Sequence, residues 1–486
     1  MVSAPSIRPT WSKAIARPAK EFALTPLQVI AGKLPEGLHG TLYRNGPGRL
    51  ERGGVKVGHW FDGDGAILAV HFGQEGARGT YRYVQTEGYL AEEKAGKFLY
   101  SNYGMTAPGP IWERWGKSVK NAANTSVIAL PDRLLALWEG GLPHALDLET
   151  LETQGTENLS YLHKGLSYSA HPKRDPKTGE IFNFGVSIGV PATLHLYCSD
   201  ERGRIRRQGA VKLDGIPLIH DFVMAGPYLI FCIPPVRINA FPVGFGLQSY
   251  SDAMAWKPEL GTQILVIDRE TLTLVARGEA EPWYQWHFSN GYVEADGTVV
   301  IDLVRYEDFK TNSYLGEFVT GETRTVSPAW FWRMRIDPRK AKVLSGVPLL
   351  SRSCEFPTMM ASEVGQPSQF AYLALYRSGQ VIGQDFFGTV GRLDLASGNL
   401  VIAPFADGHY PSEPIYVQNL TDLENGWVLT VVYNSAEDSS ELWICDASHL
   451  DTAPICRLAL PQVIPPGFHG TWRSAPPNEG VRKSSG

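Results

Sequence analysis

The stretch Ile264-Leu-Val-Ile-Asp-Arg-Glu-Thr-Leu-Thr-Leu-Val275 reads as two strands joined by a turn at Asp268. An aspartate in such a turn bonds its own backbone, and the flanking β-branched residues suit strands. The signature returns as Leu-Asp-Leu-Glu-Thr at Asp147, Cys-Ser-Asp-Glu-Arg-Gly at Asp200 and Ile-Asp-Pro at Asp337. It returns again as Leu-Asp-Leu-Ala-Ser-Gly at Asp394 and Cys-Asp-Ala-Ser at Asp446, with a looser turn at Gly73-Gln-Glu-Gly76. From Asp147 onward the intervals are 53, 68, 69, 57 and 52 residues, near the roughly 40–50 of a four-stranded blade plus insertions. A sandwich or barrel also carries hairpins, but it would not space them this evenly over so long a chain. The pattern predicts an all-β fold, a seven-bladed β-propeller, whose inner strand edges are buried around the axis.

Composition narrows the function. Of 486 residues, 43% are hydrophobic and 20% charged, enough apolar material for a large core and little reason for disorder. A net charge of -5 offers no basic field, which excludes nucleic acid as a partner. Cys198, Cys232, Cys354, Cys445 and Cys456 form no CxxC pair, against both a disulfide framework and a thiolate zinc site. The first twenty residues hold no apolar secretion segment, and no apolar run reaches the roughly 18–20 residues of a membrane span. The expected placement is cytoplasmic, either free or on a membrane surface.

One polar residue follows each hairpin at a similar distance. His171 lies 24 residues after Asp147, His220 lies 20 after Asp200, and His287 lies 19 after Asp268. Glu355 lies 18 after Asp337, Glu413 lies 19 after Asp394, and His469 lies 23 after Asp446. The turn near Gln74 leads, after a longer stretch, to Asn124-Thr125. After an outer hairpin the chain returns to the axis, so side chains at this phase converge at one end of the central channel. A single strand histidine is ordinarily a core or surface residue, as His39 and His163 are read to be. Four in one register point to a metal.

Ligand chemistry narrows the metal. Imidazoles without thiolate disfavour structural zinc, and a set poor in oxygen excludes calcium and magnesium. Imidazole suits iron(II), and four histidines leave up to two positions of an octahedron open. Because the first shell carries no negative charge, it must come from carboxylates bonded to the far ring nitrogens. Glu355 and Glu413 have the right phase; Glu139 does not.

At these residues the chain resembles a carotenoid cleavage oxygenase, most closely the bacterial, cyanobacterial-type apocarotenoid oxygenases. The similar stretches run nearly end to end: Leu-Tyr-Arg-Asn-Gly-Pro-Gly (42–48), Phe-Asp-Gly-Asp-Gly (61–65), Asn-Thr (124–125) and Leu-Trp-Glu-Gly-Gly (137–141). Ser-Ala-His-Pro (169–172), Ile-His-Asp-Phe (219–222), Cys-Glu-Phe-Pro (354–357), Ser-Glu-Pro-Ile (412–415) and His-Gly-Thr-Trp (469–472) continue them. The resemblance implies one Fe2+ per chain on His171, His220, His287 and His469, with Glu139, Glu355 and Glu413 behind them. It also implies that the Thr125 methyl limits access to the open coordination position, and that a loop or helix cap builds an apolar tunnel. The implied division is an N-terminal extension (1–25), a propeller with cap insertions (26–475) and a flexible tail (476–486). Phe-Asp-Gly-Asp-Gly begins like a calcium loop but lacks the later ligands, so it is read as a tight turn. The Asn124-Thr-Ser sequon is read as irrelevant without a secretion signal.

Trp138, Trp286 and Phe356 adjoin these residues, and the resemblance adds Phe61 and Tyr306 as tunnel lining. Such walls suit an apolar polyene that has almost nothing to hydrogen-bond. The implied reaction adds both atoms of O2 across one double bond, giving two carbonyls and, from β-apo-carotenals or their alcohols at C15–C15′, retinal. The alternatives are a stilbene-cleaving dioxygenase of the same fold, or cleavage at another double bond. In relatives that cleave stilbenes a lysine stands where Trp138 is, and an indole cannot supply that charge to a phenol. Residues 237–247 are apolar and broken by proline, an expected lip for peripheral membrane contact.

Overall fold

In the computed structural model, residues 8–475 are described, except 190, 420, 421 and 424. The aspartate turns form as their chemistry requires. Asp147 Oδ1 accepts from the Glu149 and Thr150 N–H groups at 2.9 and 2.7 Å. Asp268 does the same with Glu270 and Thr271, and Asp394 with Ala396 and Ser397. Each turn joins antiparallel neighbours, such as Thr262–Asp268 and Leu274–Ala280.

Among the described residues, seven sheets carry four or more strands. Five are built from strands of one continuous segment each, and two combine the chain's ends. Gly470–Ser474 pairs with Gly40–Arg49, and Val29–Gly32 pairs with Cys456–Ala459. The architecture is all-β and propeller-like. Neighbouring sheets bury apolar faces against each other, as where Ile230, Ile264 and Val266 meet Val299, Ile301 and Met334. The core therefore lies between sheets and leaves polar side chains at their inner edges.

Short helical pieces pack on one another. Lys310–Phe318 packs on the short 3-10 turn Trp60–Asp62, with the Trp60 and Phe318 rings 4.3 Å apart. Trp11, fully buried, stacks on Phe318 at 4.4 Å. Phe22–Pro26 pairs with Gly76–Tyr83, so the boundary expected at residue 25 falls inside a strand. The tail expected at 476–486 lies outside the described residues.

Phe-Asp-Gly-Asp-Gly forms a turn whose carboxylates are used internally. Asp62 accepts from the Gly58, His59 and Gly104 N–H groups, and burial pushes its carboxyl up to about 7. Asp64 is ion-paired with Arg52 and Lys120. Asn124 is fully buried, and its amide donates to the Phe61 and Gly63 carbonyls.

The stretch 42–48 draws the chain's ends together. Asn45 Nδ2 donates to the Ala123 and Ser126 carbonyls, both at 3.0 Å. A Cβ on Gly46 would lie 2.5 Å from the Gly467 Cα, a backbone approach that excludes any side chain. Gly46→Ala is therefore expected to destabilise the protein by about 1–3 kcal/mol. Denaturant unfolding checks it: a lower midpoint at constant slope is the expected outcome, and an unchanged midpoint refutes it.

Candidate metal centre

Each histidine precedes the edge strand that begins or closes its sheet. His171 stands two residues before Lys173–Arg174, and His220 three before Val223–Ala225. His287 and His469 directly precede Phe288–Val293 and Gly470–Ser474. Edge strands on the axis bring all four rings to one point. Their candidate ligand nitrogens lie within 4.8 Å of one another. His171 Nε2 is 3.0 Å from His220 Nε2, which is 3.3 Å from His287 Nε2. Four imidazole nitrogens this close together form a set suited to a cation.

The outer nitrogens are tied to carboxylates. His287 Nδ1 donates to Glu355 Oε2 at 2.5 Å, and His469 Nδ1 donates to Glu413 Oε1 at 2.8 Å. His220 Nδ1 contacts Glu139 Oε1. An Nδ1–H given to a carboxylate leaves Nε2 as the inward lone pair, which fixes the tautomer a metal requires. Burial, and then the other imidazoles, pull His171 well below the ordinary histidine range. Burial also pulls His469 down, against the opposing Glu413 carboxylate. For His287 burial acts downward too, but the Glu355 carboxylate outweighs it and the pKa is raised.

Sequence reasoning assigned no role to Arg44, although it stands in a quoted stretch. Its buried guanidinium donates to Glu413 Oε2 at 2.6 Å and to the Phe468 carbonyl at 3.1 Å. Burial would raise the Glu413 pKa; His469 and Arg44 outweigh it and hold the carboxyl low. The available signal was an arginine within a strand of otherwise apolar and turn residues. Tyr306 was expected as lining, yet its hydroxyl also donates to Glu355 Oε1 at 3.0 Å.

A cavity opens beside His220, His287 and His469, and Phe61, Thr125, Trp286, Tyr306, Glu355 and Phe356 share its wall. The Thr125 hydroxyl donates to Asn124 Oδ1 at 3.1 Å, which leaves the methyl as its free apolar surface. Trp286 is held by its Nε1–H on Thr311 and packs edge-on to His220, with centroids 4.8 Å apart. Phe356 reaches the cavity although it follows Glu355, because its backbone sits at φ 51° and breaks strand alternation. Trp138 is not among the residues lining this cavity, and its ring packs over Gly140 and Gly141.

Comparison with known proteins agrees with this geometry. The family described as RPE65, retinal pigment epithelial membrane protein, matches residues 15–474. The apocarotenoid-15,15'-oxygenase of Synechocystis is 33% identical over 456 residues, covering 91% of this chain and 92% of that protein. Resveratrol cleavage oxygenase 1 of Aspergillus fumigatus is 26% identical, covering 96% and 95%. The crystal structure of the cobalt-substituted Synechocystis oxygenase superposes with a TM-score of 0.87 at 31% identity, covering 96% of this chain and 98% of that one.

Glu355→Gln keeps the size of the side chain but removes the charge behind His287. It is expected to weaken metal retention about 10–100-fold. Competition against a chelator measures this, and retention equal to the wild type would remove Glu355 from the centre.

Proposed function

This chain belongs to the RPE65 (retinal pigment epithelial membrane protein) family of carotenoid oxygenases, and we propose that it is an iron(II) dioxygenase cleaving an apocarotenoid double bond. The observation that carries the reading is four convergent imidazoles opening onto a wall of aromatic rings. His171, His220, His287 and His469 would hold one Fe2+ per chain, with Glu139, Glu355 and Glu413 orienting three of the rings. When bound, iron supplies the one-electron chemistry that dioxygen needs to react with an alkene.

The protein's own residues do the rest. Phe61, Trp286, Tyr306 and Phe356 orient a polyene by apolar burial, worth roughly 25 cal/mol per Å2, and keep water from the reacting bond. Thr125 narrows the approach with its methyl group. The carboxylates are committed to imidazoles, so no protein acid or base acts on the substrate. The balance is simple: one carbon–carbon double bond and O2 give two carbonyls.

Within this reading the substrate is a β-apo-carotenal or its alcohol, cut at C15–C15′ to release retinal. The similarity to the Synechocystis enzyme supports it, and so does the cavity wall, which carries no lysine or arginine among the described residues. A stilbene-cleaving oxygenase is the second reading, favoured by the similarity to the Aspergillus enzyme. We take the seven larger sheets as the seven blades of the domain expected over 26–475, its first strand starting at Phe22, capped by Lys310–Phe318 and its neighbours, with residues 8–21 packed against them. Iron-loaded protein incubated with apocarotenals and hydroxystilbenes is expected to give retinal, identified by mass spectrometry. Hydroxystilbene cleavage without retinal would overturn the assignment.

No helix among the described residues is long and apolar enough to cross a membrane. We place the protein in the cytoplasm with a peripheral contact through 237–247. Phe241, Phe245 and Leu247 are exposed there, and Arg114, flanked by the exposed Trp112 and Trp115, bonds the Gly246 carbonyl at 2.8 Å. Exposed aromatic rings in one patch suit the interface of a bilayer. Replacing Phe241 and Phe245 with Ser is expected to lower liposome association while sparing turnover of detergent-dispersed substrate. Unchanged flotation with liposomes would refute the contact.

A further inference from the structure

Three of the four histidines give their outer nitrogen to a glutamate, and His171 does not. Its Nδ1 faces Asp221 Oδ1 at 4.0 Å, beyond hydrogen-bond reach. It is also the one histidine of the four outside the cavity wall. Asp221 is buried and follows His220 directly. Its Oδ1 takes the Lys173 ammonium at 2.8 Å and the Phe222 N–H at 2.8 Å. Its Oδ2 takes the Phe288 N–H at 2.9 Å. Lys173 lies two residues after His171, and Phe288 directly follows His287. One carboxylate thus ties together the three segments that carry His171, His220 and His287.

The charge of the centre points the same way. Glu139, Glu355, Glu413 and Asp221 bring four formal negative charges around the imidazoles. Arg44 on Glu413 and Lys173 on Asp221 bring two positive ones. The remainder is two negative charges, the complement of one divalent cation held by neutral ligands. Replacing Asp221 with a neutral residue would leave Lys173 uncompensated beside His171 and disturb that balance.

We propose that Asp221, with Lys173, is the positioning unit for the metal: in place of a fourth glutamate, it sets His171 and fixes the spacing of three histidine segments. This rests on the metal reading above. The mechanism is mechanical and electrostatic together. The Phe222 N–H fixes the orientation of the carboxylate. The carboxylate's bond from the Phe288 N–H and its ion pair with Lys173 tie the other two segments to it, and the ammonium offsets the carboxylate charge beside His171.

The test uses the full chain loaded with Fe2+ or Co2+. Asp221→Asn is expected to lower retention of either ion against a chelator by at least about tenfold, and to change the visible spectrum of the cobalt form. Lys173→Met, which unties Asp221 from the His171 segment but adds a net negative charge, should change the cobalt spectrum by less and should not lower retention. Asp302→Asn is the control: it breaks a buried pair with Arg333, 2.8 Å in length and outside this cluster. It should lower Tm and leave retention and spectrum alone. Wild-type retention and spectrum in Asp221→Asn would overturn the proposal, as would equal metal loss in Asp302→Asn. If Asp221→Asn does not fold, Lys173→Met decides, and an unchanged cobalt spectrum there overturns it. A wild-type chain that takes up neither ion overturns the metal reading itself, a failure distinct from loss confined to the variants.

Discussion

Carboxylates leave water only where cations or hydrogen-bond donors meet them, and the centre gathers four acidic side chains around four imidazoles. That condition decides which pieces of chain must come together. Glu413 needs Arg44 from the first large strand and His469 from the last. Glu355 needs His287 and Tyr306 from the preceding sheet. Each contact joins neighbouring sheets at their inner edges, so satisfying the charges and assembling the ring are one requirement. The apolar faces between sheets supply the energy of assembly, and the polar edges supply its register.

The aromatic wall is held more firmly from behind than from within. Burial pulls the His59 imidazole down to about 3, so it is neutral. Its Nδ1 accepts from the Phe61 N–H, and its Nε2 donates to the Asn312 carbonyl on the helix Lys310–Phe318. Asn312 in turn bonds Tyr103 and Ser251. Phe61 and the helix are thus fixed to one hub. Phe356 differs: its left-handed backbone is a strained state for a bulky residue, of order 1–3 kcal/mol, and its ring leans on both His287 and His469. That strain lies directly beside two of the four histidines.

Much of this was legible in the residues because a repeating fold converts distance along the chain into direction in space. The aspartate turns marked the outer ends of sheets, and a near-constant step from them marked the axis, which is why His171, His220, His287, His469, Glu355 and Glu413 could be read together. Glu139 escaped the phase because it follows its strand, Leu134–Leu137, where the others precede or begin theirs. Adjacency to a site residue implies the opposite face unless the backbone bends, as it does at Phe356. Arg44, Lys173 and Asp221 carry no periodic mark. Their roles exist only once segments 67 or even 369 residues apart are adjacent.

The pairing of Gly470–Ser474 with Gly40–Arg49 has a consequence in time. Arg44 and Gly470 are register partners 426 residues apart, so the contact that closes the ring is among the most non-local in the chain, and such contacts form slowly. His469 immediately precedes that strand. During synthesis a ribosome has made three of the four imidazoles long before the last one emerges, and the nascent chain holds an incomplete set until its final strand docks. An ion that needs all four imidazoles must therefore wait for that docking, so the contact that closes the ring also completes the set.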